Sequence, residues 1–195
     1  MTDIEKVEAS IQGDDPWIET YTGKRFYLAH DDNEDQIDII DIGHALGMNC
    51  RYNGHCRSFY SVAEHSVLMS YLVSPENAMQ ALLHDSTEAY LSDICRPFKK
   101  HLHNYAELEN TLYARIARKF GLPEKLHPEV KHYDVAICRL EGDRLMPSRA
   151  EEWGIPKDAL TIEEFRAKTG HVHIPCWEWR EARDNFLLRF SELSR

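Results

Sequence analysis

From residue 61 onward, apolar positions return every three or four residues, the spacing of one helix face, and capping residues, Gly and Pro punctuate the pattern. Ser61-Val62-Ala63-Glu64 has the form of a capping box and opens a helix to about Val73. Ser74-Pro75 pairs an N-cap with proline at the first helical position and opens a helix to about Leu91. A periodic run from Leu102 to Phe120 stops at Gly121, with Pro123 behind it. Pro128 to Met146 is the next helix, ended by Pro147. Thr161-Ile162-Glu163-Glu164 caps a short helix that ends at Gly170, and Trp177 to Leu193 is a last amphipathic helix. Upstream, Ile39 to Met48 reads as a short helix. Asn49 to Phe59 holds Gly, two Arg, His and two Cys without periodicity and reads as a loop. Trp17 to Leu28 alternates around Thr22-Gly23, which predicts a hairpin, and residues 30–37 form an acidic loop. No repeat, low-complexity run or linker divides residues 17–195. The pattern predicts one all-α domain with a short N-terminal β-hairpin, preceded by an acidic flexible tail over residues 1–16.

Length and composition add limits. The 195 residues suffice for one domain with a real core, and 43% apolar with 29% charged residues is ordinary for a globular chain. No stretch approaches the roughly 18 apolar residues of a membrane span, and the N-terminus lacks a basic-then-apolar signal, so the expected compartment is the cytoplasm. Five cysteines without C-x-x-C spacing are expected as free, mostly buried thiols. A net charge of −10 argues against a nucleic-acid duplex or a membrane as the main partner, because phosphate surfaces need clustered cations. A small phosphorylated substrate stays open, since a metal and a few local cations reverse the sign inside a pocket.

The chemistry-bearing residues are His65 in Ala-Glu-His-Ser, the pair His84-Asp85 in Leu-Leu-His-Asp, and Asp134 in Tyr-Asp-Val-Ala. Two imidazoles and two carboxylates suit one divalent transition metal, with room left for water or substrate. Taken singly each is weak, because a lone His on a helix is more often a hydrogen-bonded structural residue. Asp85, however, sits among Ala81, Leu82, Leu83, Ala89 and Tyr90, where an unpaired charge is costly. The bland alternative is a buried ion pair with Arg51 or Arg139. Within one helix, neighbours such as His84 and Asp85 point about 100° apart, so both reach one ion only if it lies over the helix shoulder. Glu88, four residues after His84, shares that face and is a candidate to hold the attacking water, act as general acid or orient a ligand. Asp93, Arg96 and Lys99 follow near the helix end. Asp143 falls on the far side of its helix from Asp134 and is not counted as a ligand.

Glu64-His65-Ser66, His84-Asp85-Ser86-Thr87-Glu88 with Asp93 and Lys99 in step, Asp134, and the segment Cys50-Arg51-Tyr52-Asn53-Gly54-His55-Cys56 together resemble the HD-domain phosphohydrolases. The resemblance is to the YfbR-type 5′-deoxynucleotidases and to their phage-borne relatives that act on deoxyadenosine triphosphate, and it covers roughly residues 17–145. It implies an HD-domain helical bundle over residues 17–195. It implies His65, His84, Asp85 and Asp134 as metal ligands, with Asp85 and Glu88 at the chemistry. It implies Arg51 on phosphate and Lys99 and Asp93 on the substrate side. Tyr52 stands where the deoxynucleotidases carry a Trp beside the sugar. Ile42 and Gly43, leading into the Arg51 loop, are candidates for the base pocket. The implied cofactor is one Zn²⁺, Co²⁺ or Mn²⁺ per site, with Mg²⁺ accompanying a triphosphate. The implied assembly is a homo-oligomer, dimer or hexamer, in the host cytoplasm if the gene is phage-borne. The stretch after residue 150 has no counterpart in that pattern.

The resemblance and the ligand set together imply metal-assisted hydrolysis of the 5′-phosphoester of a deoxynucleotide, releasing nucleoside with either phosphate or triphosphate. Lys100, His101 and His103 are candidates for the charge that a triphosphate needs. Two alternatives stand beside it. One is a regulatory HD module that binds nucleotide without turnover. The other is a hydrolase of a different phosphoester, although the extra histidines of a two-metal site are not evident at motif spacing.

Overall fold

The computed structural model describes residues 16–28 and 34–195. The acidic tail expected over residues 1–16 therefore lies outside the described residues except for Pro16, as does the first part of the acidic loop. Two strands, β1 (Trp17–Glu19) and β2 (Arg25–Tyr27), precede nine α-helices among the described residues. These are α1 (Ile39–Met48), α2 (Val62–Leu72), α3 (Ala78–Leu82), α4 (Glu88–Leu91), α5 (Arg96–Lys99), α6 (Tyr105–Lys119), α7 (Pro128–Leu145), α8 (Ile162–Thr169) and α9 (Trp179–Leu193). The fold is all-α with a short antiparallel hairpin, Ile18 opposite Phe26.

Helix α2 sets the layout. Every position from Val62 to Ser70 is buried, as expected of a helix that is packed all round. It touches α1, α3, α7, α8 and α9. On one side Leu68, Met69 and Leu72 join Ile137 of α7 and Phe165 of α8. On the other side Val62, Ala63 and Val67 join Ile42 of α1, Leu82 of α3, Ile116 of α6 and Phe186 of α9. Any polar side chain on α2 therefore sits between two cores.

The caps follow the sequence. The Ser61 hydroxyl accepts from the Glu64 N–H at 3.0 Å, and the Thr161 hydroxyl accepts from the Glu164 N–H at 3.1 Å. Helix α6 ends in a Schellman turn, with Leu122 N–H on Ala117 O at 2.8 Å and Gly121 at φ 67°. The hairpin is pinned to α1, since Thr22 donates its N–H and its hydroxyl to Asp41 at 2.7 and 2.9 Å.

Four expectations need correction. The box at Ser61 is half formed, because the buried Glu64 carboxyl turns away to accept from Cys176 and Trp177 N–H at 2.8 and 2.7 Å, tethering the approach to α9. The single helix expected from Ser74 to Leu91 is a 3-10 turn (Pro75–Asn77), α3, a run of turns over residues 83–87, and α4. Ser86 accounts for the break: its N–H and hydroxyl both go to Leu83 O, at 3.1 and 2.6 Å, and so compete for the carbonyl that would continue the helix. Helices α6 and α9 begin later than expected, at Tyr105 and Trp179. The five cysteines are free but half-buried rather than buried, and Cys50 and Cys56 bring their sulfurs to 3.5 Å. No described helix is long and apolar enough to cross a membrane.

Candidate metal centre

The turn over residues 83–87 carries the His84-Asp85 pair. It lets neighbouring His84 and Asp85 face one point, with His84 Nε2 and Asp85 Oδ2 only 3.2 Å apart. His65 meets them from α2, fully buried, and Asp134 meets them from α7. His65 Nε2 lies 3.3 Å from His84 Nε2, 3.4 Å from Asp134 Oδ1 and 3.7 Å from Asp85 Oδ2. His84 Nε2 lies 3.7 Å from Asp134 Oδ1. His65, His84 and Asp134 form a group able to hold a metal ion.

The other ring nitrogens are committed. His84 Nδ1 is 2.7 Å from the Ala81 carbonyl, which only accepts, so Nδ1 carries a proton and Nε2 is the nitrogen left to face the carboxylates. His65 Nδ1 is 2.7 Å from Glu141 Oε1, with the same result for its Nε2. Nε2 of each ring therefore faces the other across 3.3 Å, beside the Asp85 and Asp134 carboxylates, and is the nitrogen open to a metal ion. Burial disfavours charge on His84, yet the Asp85 and Asp134 carboxylates raise its pKa well above the ordinary value. Burial likewise opposes charge on Asp134, and hydrogen bonds from His65 and His84 outweigh it and hold its carboxyl well below the usual range.

His84, Asp85 and Asp134 line a cavity of about 1040 Å³. Glu88 borders it, buried, with Oε1 3.8 Å from Lys99 Nζ and Oε2 without a hydrogen-bond partner among the described residues. Burial, with Asp85 and Asp93 adding repulsion, pushes the Glu88 carboxyl well above its usual value. Asp93 also lines the cavity, and burial raises it too. Arg96, exposed, reaches Asp134 Oδ2 at 2.8 Å, and Lys99 pairs with Glu109 at 2.6 Å. Arg51 and Tyr52 line the cavity from a turn in which Tyr52 and Asn53 hold left-handed φ of 58° and 50°. Such strain collects where surrounding contacts over-determine the backbone. Here the Cys50–Ser61 bridge clamps the turn at its base.

The structure thus brings His84, Asp85, Asp134, Glu88, Asp93, Lys99, Arg51 and Tyr52 to one cavity, with the buried His65 in contact with His84, Asp85 and Asp134. It does not bring Ile42 and Gly43 there. Ile42 is fully buried in the core, and a Cβ on Gly43 would stand 2.9 Å from Leu187 and 3.2 Å from Phe186, because α1 packs closely on α9. The ion pair weighed as the alternative for Asp85 exists, with Arg51 Nη1 at 3.5 Å, while Arg139 is turned to Asp143 and Glu151. Lys100 lines the cavity; His101 and His103 are exposed and do not.

Two residues carry no signal strong enough to be picked from the sequence as site residues. Glu141, fully buried, accepts from Arg51, Tyr52, Tyr60 and His65. A hint exists in its spacing, seven residues after Asp134 and so on the same face of α7. Trp153, in the 3-10 turn Ala150–Trp153, forms cavity wall beside Tyr52, with ring centres 5.8 Å apart. No periodicity announces it.

The chain is 37% identical over 181 residues to the uncharacterized protein YfdR of Escherichia coli (strain K12), an alignment spanning 91% of this chain and 96% of YfdR. The chain belongs to the YfdR family. It is also 34% identical over 143 residues, 66% of the chain, to an uncharacterized protein of Rhodobacter capsulatus of which 72% is covered. No protein-family profile matches the chain.

Proposed function

We propose that this member of the YfdR family is a metal-dependent HD-domain phosphohydrolase that cleaves the 5′-phosphoester of deoxynucleotides, as a triphosphohydrolase of the deoxyadenosine triphosphate type or as a 5′-deoxynucleotidase. The carrying observation is the convergence of the His65 and His84 Nε2 atoms with the Asp85 and Asp134 carboxylates beside a cavity.

The donor set fits an ion. Metal–ligand bonds of roughly 2.1 Å in a tetrahedral shell put donors about 3.4 Å apart. The Nε2 atoms of His65 and His84 lie 3.3 Å from each other and 3.2 to 3.7 Å from Asp85 Oδ2 and Asp134 Oδ1. A Zn²⁺, Co²⁺ or Mn²⁺ ion bound there supplies Lewis-acid polarisation of a phosphoryl oxygen and acidifies water from a pKa of about 15.7 towards 7. Every other part falls to the chain. Arg51 lines the cavity with its Nη1 3.5 Å from Asp85 Oδ2, a cation placed beside the proposed metal site for a phosphoryl oxygen. Lys99, with Arg96 and Lys100 further along the wall, offsets phosphate charge in a protein whose net charge is −10. Glu88, whose carboxyl burial raises, stands where it can position the attacking water or pass a proton to the departing 5′-oxygen. The Tyr52 hydroxyl is committed to Glu141, so Tyr52 offers the substrate a ring face rather than a donor.

The five free thiols are consistent with a reducing compartment, and we infer the cytoplasm. The homo-oligomeric state rests on the resemblance alone. The direct test is the Asp85→Ala variant. Bound metal and nucleotide hydrolysis should disappear together. Full hydrolysis by a metal-free Asp85→Ala protein overturns the proposal.

A further inference from the structure

We infer that Glu141 is a positioning residue that holds the His65 ligand and the Arg51–Tyr52 turn in one geometry; this rests on the metal site proposed above. Its carboxylate is fully buried and both oxygens are occupied. Oε1 accepts from His65 Nδ1 at 2.7 Å and from the Tyr60 hydroxyl at 2.8 Å. Oε2 accepts from Arg51 Nη2 at 3.2 Å and from the Tyr52 hydroxyl at 2.5 Å.

Only an ionised carboxylate takes four donors through two oxygens. An amide there would turn an NH₂ group towards at least two of them. The four donors also come from separate pieces of chain: the strained turn (Arg51, Tyr52), the residue just before the α2 cap (Tyr60), and α2 itself (His65). Glu141 stands on α7, two turns beyond Asp134. One side chain therefore fixes which nitrogen of His65 faces the proposed metal site and, through its second oxygen, where Arg51 and Tyr52 stand at the cavity. Outer partners of metal-binding histidines act on affinity in this way, and their loss costs roughly 10–100-fold. The arrangement here extends that control to the substrate side, so Glu141→Gln should weaken metal binding and raise KM together.

The experiment is calorimetric titration of Zn²⁺ into the metal-free protein, for the wild type, Glu141→Gln and Tyr60→Phe. Tyr60→Phe removes one donor of the four and leaves the carboxylate. Expected is one ion per chain for the wild type, affinity lowered roughly 10–100-fold in Glu141→Gln, and little change in Tyr60→Phe. A merely structural role would lower the melting temperature and leave the affinity of folded molecules unchanged, so wild-type affinity in folded Glu141→Gln overturns the inference alone. A wild type that takes up no ion overturns both this inference and the proposed function. Where Glu141→Gln does not fold, ¹⁵N NMR of histidine-labelled, zinc-loaded wild type decides. A proton on His65 Nδ1 with the ion on Nε2 is the expected result, and the reverse linkage overturns the inference.

Discussion

A histidine offers a metal one nitrogen only after the other has been given a proton and a place to put it. At His84 that place is the Ala81 carbonyl, three residues back on its own chain, and at His65 it is Glu141, seventy-six positions away. The proposed ligands are legible in the sequence as residue types in apolar surroundings. Glu141 is not, because its meaning depends on Arg51, Tyr52 and Tyr60 arriving beside it, and spacing along one helix says nothing of partners from elsewhere. Ile42 and Gly43 fail in the opposite way. Chain adjacency to the Arg51 loop suggests a cavity, but α1 turns that face to α9. Glu88 gives the prediction at this scale. It is not among the four proposed ligands and lies beside Lys99 at the cavity, so Glu88→Gln should keep wild-type metal content and lose roughly 10²–10⁴-fold in kcat. Metal analysis beside steady-state kinetics checks this, and metal loss would make Glu88 a ligand.

At the scale of elements, caps and stops are readable because they are local. Ser61, Thr161 and Gly121 act within a few residues of where they stand. The break at residues 83–87 is hidden because apolar periodicity runs straight through it, and the deciding bonds belong to Ser86, a residue tolerated in helices. That break matters most for function, since it aims His84 and Asp85 together. The close approach of α7 to the turn Ala150–Trp153 depends on Gly142, where a Cβ would stand 2.9 Å from both Ala150 Cβ and Trp153 Cζ3. Ala ordinarily gains about 1 kcal/mol over Gly inside a helix, and overpacking costs about 1–3 kcal/mol. Gly142→Ala should therefore be net destabilising, by about 1 kcal/mol in urea unfolding, and should shift Trp153 fluorescence. A stabilised variant would contradict the close packing.

Over the whole molecule, two cores joined by α2 leave a polar seam between them, and the buried charges of that seam set the response to pH. Burial opposes ionisation of Glu141, but Arg51 and His65 hold its carboxyl down at about 2 against an ordinary 4.5. Its contribution is complete above pH 4.5 and is lost as pH falls towards 2. His84 is raised above 6.5, so its contribution is complete below that value and is lost as pH rises through the raised one. Glu64, which burial pushes up to about 8, adds a loss between pH 4.5 and 8. The metal-free protein should therefore be most stable on the acid side of neutrality. Urea unfolding from about pH 3 to pH 9 tests this, and a maximum above about pH 8 would contradict it.

Metal-dependent hydrolysis at the 5′-oxygen of a deoxynucleotide is tested most directly by chromatographic product analysis after incubation with dATP, dAMP and ATP, with and without Mn²⁺ or Co²⁺. Deoxyadenosine should be released only in the presence of metal, together with intact triphosphate from dATP or phosphate from dAMP. The absence of any nucleoside from metal-loaded protein in every lane would contradict the proposed chemistry.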